Sequence, residues 1–174
     1  MEVVEAQREV RSVYVNGAVG QAVSGVIWLL SAGLGTFVSV QAGVISLAVG
    51  GVFIFPLTQL ALRLSGRSAT LSSENPLDGL AMQVAFMVPL LIPVIGAATL
   101  HNVDWFYPAF MVVVGAHYLP FVFLYGMRAY AVLAAVLIGG GVTVGWMLPN
   151  SFSVGGWVAA AALLVFSLFV WRLE

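Results

Sequence analysis

Apolar residues run along this chain in six long blocks, at about residues 17–38, 42–64, 79–100, 105–126, 128–148 and 152–172. Each is close to the roughly 20 residues a helix needs to cross a hydrocarbon layer. The separators hold the polar and turn-forming residues: Ser39 and Gln41, the stretch from Gly66 to Asp78, HNVD from His101, and PNS from Pro149. Only the second separator is long, and the one around Gly126 to Arg128 is so weakly marked that a single bent helix could run through it. Ahead of the first block, Val3, Ala6, Val10 and Val13 recur at helical spacing, with Glu2, Glu5, Arg8, Glu9 and Arg11 on the remaining surface. That pattern predicts a short amphipathic helix, either lying on a membrane surface or extending the first span. The expected fold is all-α: a six-transmembrane-helix bundle forming one integral membrane domain over residues 1–174.

Composition agrees with this pattern and narrows the chemistry. Of the 174 residues 61% are hydrophobic and 7% charged, against about 25% charged in an ordinary soluble domain. The net charge is −1 and lysine is absent, so no basic field exists to attract nucleic acid. Without lysine there is no Schiff-base site for a retinal. Without cysteine there are no disulfides and no thiolate chemistry. The charged, amphipathic start of the chain lacks the pattern of a cleaved signal peptide. No nucleotide-binding loop, zinc-protease helix or serine-hydrolase elbow is present, and no cofactor is expected.

The six arginines give a direction. Alternating spans with the N-terminus inside place Arg8, Arg11, Arg63, Arg67, Arg128 and Arg172 all on one side, and the connections near Ser39, Asn102 and Asn150 hold none. Because positive charge stays cytoplasmic, both termini are expected there, and a five-span count would misplace Arg172.

Polar residues inside the spans are the candidate machinery. Gly17, Gln21, Ser24, Trp28, Ser31 and Gly35 share one face of the first span, a small and polar stripe suited to close helix packing or to a wet pathway. Gln21, Gln59 and Gln83 fall in the cytoplasmic halves of three successive spans, and Arg63 shares a face with Gln59. Pro56, Pro89, Pro93 and Pro120 lie near that level or deeper and are candidate helix breaks, because each frees a carbonyl that needs another partner. Together these suggest a polar vestibule narrowing toward His117, which lies roughly 18 Å along a helix begun at Trp105, near mid-membrane. An imidazole there can carry protons or bind an ion or substrate. It can equally be a structural residue hydrogen-bonded to a tyrosine such as Tyr118 or Tyr125. Asp104 reads as a helix cap, and Trp105, Phe106 and Tyr107 as an interfacial belt. His101 and Asp104 alone define no metal geometry, so no metal site is expected. Asn16-Gly17 followed by Gln21, and Asp78-Gly79 followed by Gln83, hint at a duplicated hairpin whose copies end in Gly66-Arg67 and Gly126-Met127-Arg128.

The strings NGAVGQAVSGVIWLLSAGLGTF, FPLTQLALRLSGR, NPLDGLAMQVAF and WFYPAFMVVVGAHYLPFVFLYGM resemble a functionally uncharacterised family of small bacterial multi-span membrane proteins, from about Val10 to Leu137. The resemblance implies a bacterial inner-membrane location and no particular activity. The leading expectation is transport or conduction of a small solute or ion. The alternatives are a membrane enzyme or binding protein for a lipophilic small molecule, with His117 as acid-base or ligand residue, and a structural membrane subunit. Expected partners are the lipid bilayer, that solute, ion or ligand, and further copies of the chain. Self-association is expected through small-residue faces at Ala131, Ala135 and Gly139, and at Gly155 and Ala159.

Overall fold

The computed structural model describes residues 1–173. Seven α-helices follow one another: α1 (Val3–Tyr14), α2 (Ala18–Phe37), α3 (Val40–Leu64), α4 (Asp78–His101), α5 (Phe106–Leu124), α6 (Ala129–Met147) and α7 (Val154–Trp171). Six helical segments are long and apolar enough to cross a membrane, α1 and α2 counting together as the first.

α1 is not a straight continuation of α2. Val15, Asn16 and Gly17 all take left-handed φ values, 53°, 52° and 83°, which breaks the helical path between them. α1 instead lies across one end of the bundle. Its Ala6 and Val10 are buried, Gln7 donates to the Phe123 carbonyl at 2.6 Å, and Arg11 donates to the Tyr125 carbonyl. The long connection before α4 is folded onto it. Glu9 accepts from the Ser72 amide at 2.6 Å and from Asn75 Nδ2 at 2.9 Å, and Asn75 Nδ2 also reaches the Ala6 carbonyl at 3.2 Å. The Ser72 amide, with Asn75 beside it, holds the Glu9 carboxyl below its usual value of 4.5.

α5 and α6 are separate helices rather than one bent helix. Gly126, with φ 64°, closes α5: its amide bonds the Phe123 carbonyl, and the Met127 amide reaches back to that of Val122. α3 ends in the same way through Gly66, φ 78°, with the Arg67 amide on the Leu62 carbonyl. Both are glycine caps of the Schellman type. The other half of the suspected repeat does not correspond. Asn16 and Gly17 form the left-handed break, whereas Asp78 and Gly79 begin α4 in ordinary helical conformation. The first helix of one hairpin, α2, is central to the bundle, while in the other it is the second, α5.

The helices pack in the order α3, α2, α7, α6, α5, α4, and α2 also faces α5 across the interior. Glycine sets the close approaches. Gly43 of α3 sits against Gly35 of α2, Gly25 of α2 against Leu164 of α7, and Gly141 of α6 against the Pro108 carbonyl of α5. Gly155 and Ala159 of α7 are buried inside the chain, Gly155 against Tyr107, so they are not the free self-association face expected of them. Ala131, Ala135 and Gly139 of α6 do remain exposed. The suspected helix breaks are also corrected: α3 runs unbroken through Pro56, α4 through Pro89 and Pro93, and α5 through Pro120. An apolar helix tolerates the lost bond where its neighbours re-satisfy the freed carbonyl.

Candidate functional site

The buried polar side chains of α2 form a seam against α5, α6 and α7. At its start, Asn16 Nδ2 donates to the Val170 carbonyl at 3.2 Å, and the Tyr130 hydroxyl donates to the Asn16 carbonyl at 2.7 Å. Ser167 reaches the Ala18 carbonyl at 2.8 Å. One turn further, the Tyr118 hydroxyl of α5 donates to Gln21 Oε1, with Ser24 alongside. The rings of Tyr118, Phe121, Tyr125 and Tyr130 pack edge-on and face-on into one aromatic cluster around these groups.

Trp28 interrupts the seam. It is 1% exposed and packs edge-on against Phe110 at 5.5 Å and against Tyr107 at 6.0 Å. Phe106, Tyr107 and Phe152 continue this apolar plug toward the other end. Polar contacts resume beyond it: Ser31 Oγ donates to the Gly43 carbonyl at 2.8 Å and lies 2.7 Å from the Tyr107 hydroxyl. A serine has one proton to give, so Tyr107 donates to Ser31. Phe106 and Tyr107 are therefore core residues, not part of an interfacial belt, and Trp105 covers Gly145 of α6. Asp104 is no helix cap either. Its carboxylate accepts from the Asn150 amide at 3.1 Å, tying the α4–α5 connection to the α6–α7 connection, while Asn102 caps the turn.

The sequence candidates are only partly brought together. Gln21, Trp28 and Tyr125 lie in the interior. Gln59 is half-buried on α3, Arg63 is exposed one turn further on, and Gln83 is exposed on α4. The three glutamines thus do not converge: Gln21 alone faces the interior, while α3 packs along α2 and α4 along α5. Pro56, Pro89 and Pro93 are exposed and Pro120 is half-buried. His117 sits on the side of α5 that faces α4, near the Val84 backbone, with the rings of Phe121 and Tyr118 at 4.9 and 5.3 Å. Its buried Nδ1 has no hydrogen-bond partner. The tyrosine bond offered as the structural alternative is not made: Tyr118 lies on α5 itself and Tyr125 at its end, and the Tyr118 hydroxyl turns to Gln21. Asn16, Tyr118, Tyr130 and Ser167 were not singled out as site residues. Their signal was present, a polar group in or beside an apolar run, but their convergence depends on which helices are neighbours.

Two cavities lie outside the bundle along α6 and α7, and neither is lined by His117. Among the described residues no three histidine, aspartate or glutamate side chains are grouped to hold a metal ion.

Six helical segments long and apolar enough to cross a membrane surround an interior of bonded hydroxyls and amides, an arrangement that suits a multi-pass helical membrane protein. The chain belongs to a family of unknown function, DUF7010, whose pattern matches residues 3–173. No curated protein and no solved structure matches it.

Proposed function

We propose that the protein moves a small solute or ion across the bacterial inner membrane, with its N-terminus and its arginine-rich end in the cytoplasm. The orientation rests on charge. Arg11 and Arg67 bond at the end covered by α1, Arg8 lies on α1 itself, and Arg63, Arg128 and Arg172 lie on the helix ends at that same side. Positive residues near short connections mark the cytoplasmic face.

The observation that carries the transport reading is the polar seam on α2, with Gln21 and Ser24 on one side of Trp28 and Ser31 on the other, all facing tyrosine hydroxyls of α5. Buried polar side chains in a membrane helix that face the bundle interior mark solute and ion pathways. In this arrangement Trp28 and Phe110 keep the pathway shut. α3 and α4 each pack along a single neighbour, and α4, the more sparsely packed of the two, is the element whose movement would open the pathway. Movement of α4 would expose His117 Nδ1 as an acceptor or proton carrier beside the seam. The free small-residue face of α6 fits a homo-oligomer.

Flux into liposomes tests this. Trp28→Ala is expected to raise the flux of the transported species several-fold, while Gln21→Ala and His117→Ala lower or reroute it. Absence of flux for every ion and small solute tried, from protein that elutes as a single folded species, would remove the proposal. A second reading is favoured by the rings around His117: a binding protein or enzyme for a lipophilic molecule held between α4 and α5. A lipophilic compound co-purifying with wild type and lost in His117→Ala, without flux, would support that instead.

A further inference from the structure

We infer that the outer groove between α6 and α7 is a binding site for an anionic phospholipid, with an acyl chain in the groove and the phosphate between Arg128 and Arg172. The groove has a volume of about 730 Å³, within the roughly 300–1,000 Å³ of sites that hold small molecules. Its walls include Val132 and Val136 of α6 and Val158, Ala162, Val165 and Phe169 of α7, and no charged residue lines it. A second, smaller cavity shares Val165 and Phe169 with it and adds Arg172, so the apolar trough continues to a guanidinium. Arg128 precedes Ala129, which lines the same end of the groove from the other helix. Tyr130 against Phe166, at 5.0 Å between ring centroids, fixes that alignment of the two antiparallel helices. Both arginines are exposed, and neither guanidinium has a hydrogen-bond or ion-pair partner among the described residues.

An apolar trough ending in two unpaired cations matches a lipid that carries both a chain and a negative headgroup. The other conceivable occupant is a helix from a second copy. Helix pairing in a membrane favours small residues, and those of α6, Ala131, Ala135 and Gly139, lie roughly a third of a turn away from the groove. The groove itself is walled largely by branched and aromatic side chains, whose gaps suit a flexible chain.

The test is lipid retention by the purified full chain, read by native mass spectrometry after exposure to equal amounts of a phosphatidylglycerol and a phosphatidylcholine with the same acyl chains. Wild type is expected to retain the phosphatidylglycerol preferentially. Arg128→Gln and Arg172→Gln should each weaken that retention roughly five-fold, and the pair about 25-fold, with phosphatidylcholine unaffected. Ala162→Trp, which fills the groove, should reduce retention of both lipids; Val136→Trp serves the same purpose should the first variant not elute as a folded species. Equal retention of the two lipids by wild type, or undiminished phosphatidylglycerol in the double arginine variant, would overturn the inference. So would efficient disulfide formation between copies carrying Val136→Cys in phosphatidylglycerol bilayers, since that would show a second chain covering the groove.

Discussion

α3 and α4 are as apolar as the helices they flank, yet only 11% of the most apolar stretch of each is buried, against 50% in α5 and 44% in α7. Hydropathy therefore does not decide which helix lies inside. In lipid an apolar side chain gains little by moving from a hydrocarbon tail to a protein neighbour, so burial goes to helices that offer close backbone approach or hydrogen bonds. α2, α5, α6 and α7 share the tyrosine, glutamine and serine bonds and the tight glycine contacts at Gly25, Gly115, Gly141 and Gly155. α3 offers one such stripe, where Gly43 meets Gly35 and Gly50 meets Ile27. Gly96 of α4 faces open space.

The sharpest way to break this contrast is to add the same side chain to both regions. A Cβ at Gly141 would lie 2.8 Å from the Pro108 carbonyl oxygen, whereas one at Gly51 of α3 meets nothing within 4 Å. Gly141→Val should destabilise the bundle by about 3 kcal/mol or prevent its folding, and Gly51→Val should change stability by less than about 0.5 kcal/mol. Reversible unfolding in mixed micelles measures both, and similar losses would mean that α3 is packed as tightly as α6.

A smaller effect is expected from Tyr118→Phe, which leaves the buried Gln21 carbonyl oxygen without its donor. Hydrogen bonds between membrane helices average about 0.6 kcal/mol and reach about 1.7, so a loss of about 1 kcal/mol is predicted in the same assay. Gln83→Leu on the exposed side of α4 should show no loss.

The clasp between α1 and the connection before α4 should respond to pH alone. Glu9 titrates below its usual value of 4.5 in the folded chain. The carboxylate therefore contributes its tethering fully above that value, and the contribution disappears as pH falls through the depressed one. Protease cleavage within residues 66–77 should accelerate in that acid window in wild type, and Glu9→Gln should cleave faster already at pH 7 and lose the acid step. The least change is expected from Gly139→Ala in isolated monomers, because that position opens onto free space.

The long helices were legible almost to the residue, because each coincides with an apolar block and the connections are marked by serine, asparagine, glycine and proline. The first block, read as about residues 17–38, became α2 at Ala18–Phe37, and the third, about 79–100, became α4 at Asp78–His101. α1 was legible from its charged face. The interior was not, since Gln21 and Gln83 look alike along the chain and differ only in what stands opposite: Tyr118 for one and open surface for the other. Tyr107 shows the same difficulty. Its place beside Trp105 suggested an interface, and its burial follows from Ser31 lying across from it on α2.

Asn16 joins residues that the ribosome delivers far apart in time. Its side chain bonds the Val170 carbonyl and its carbonyl accepts from Tyr130, across 154 and 114 positions of sequence. The contact order at this point is close to the maximum the chain allows, and such pairings close late. If the helices enter a bilayer in chain order, α2 does so with Gln21 and Ser31 lacking their tyrosine partners until α5 follows. A chain that ended after α4 would keep the Ser31 bond to the Gly43 carbonyl but leave Gln21 without its tyrosine.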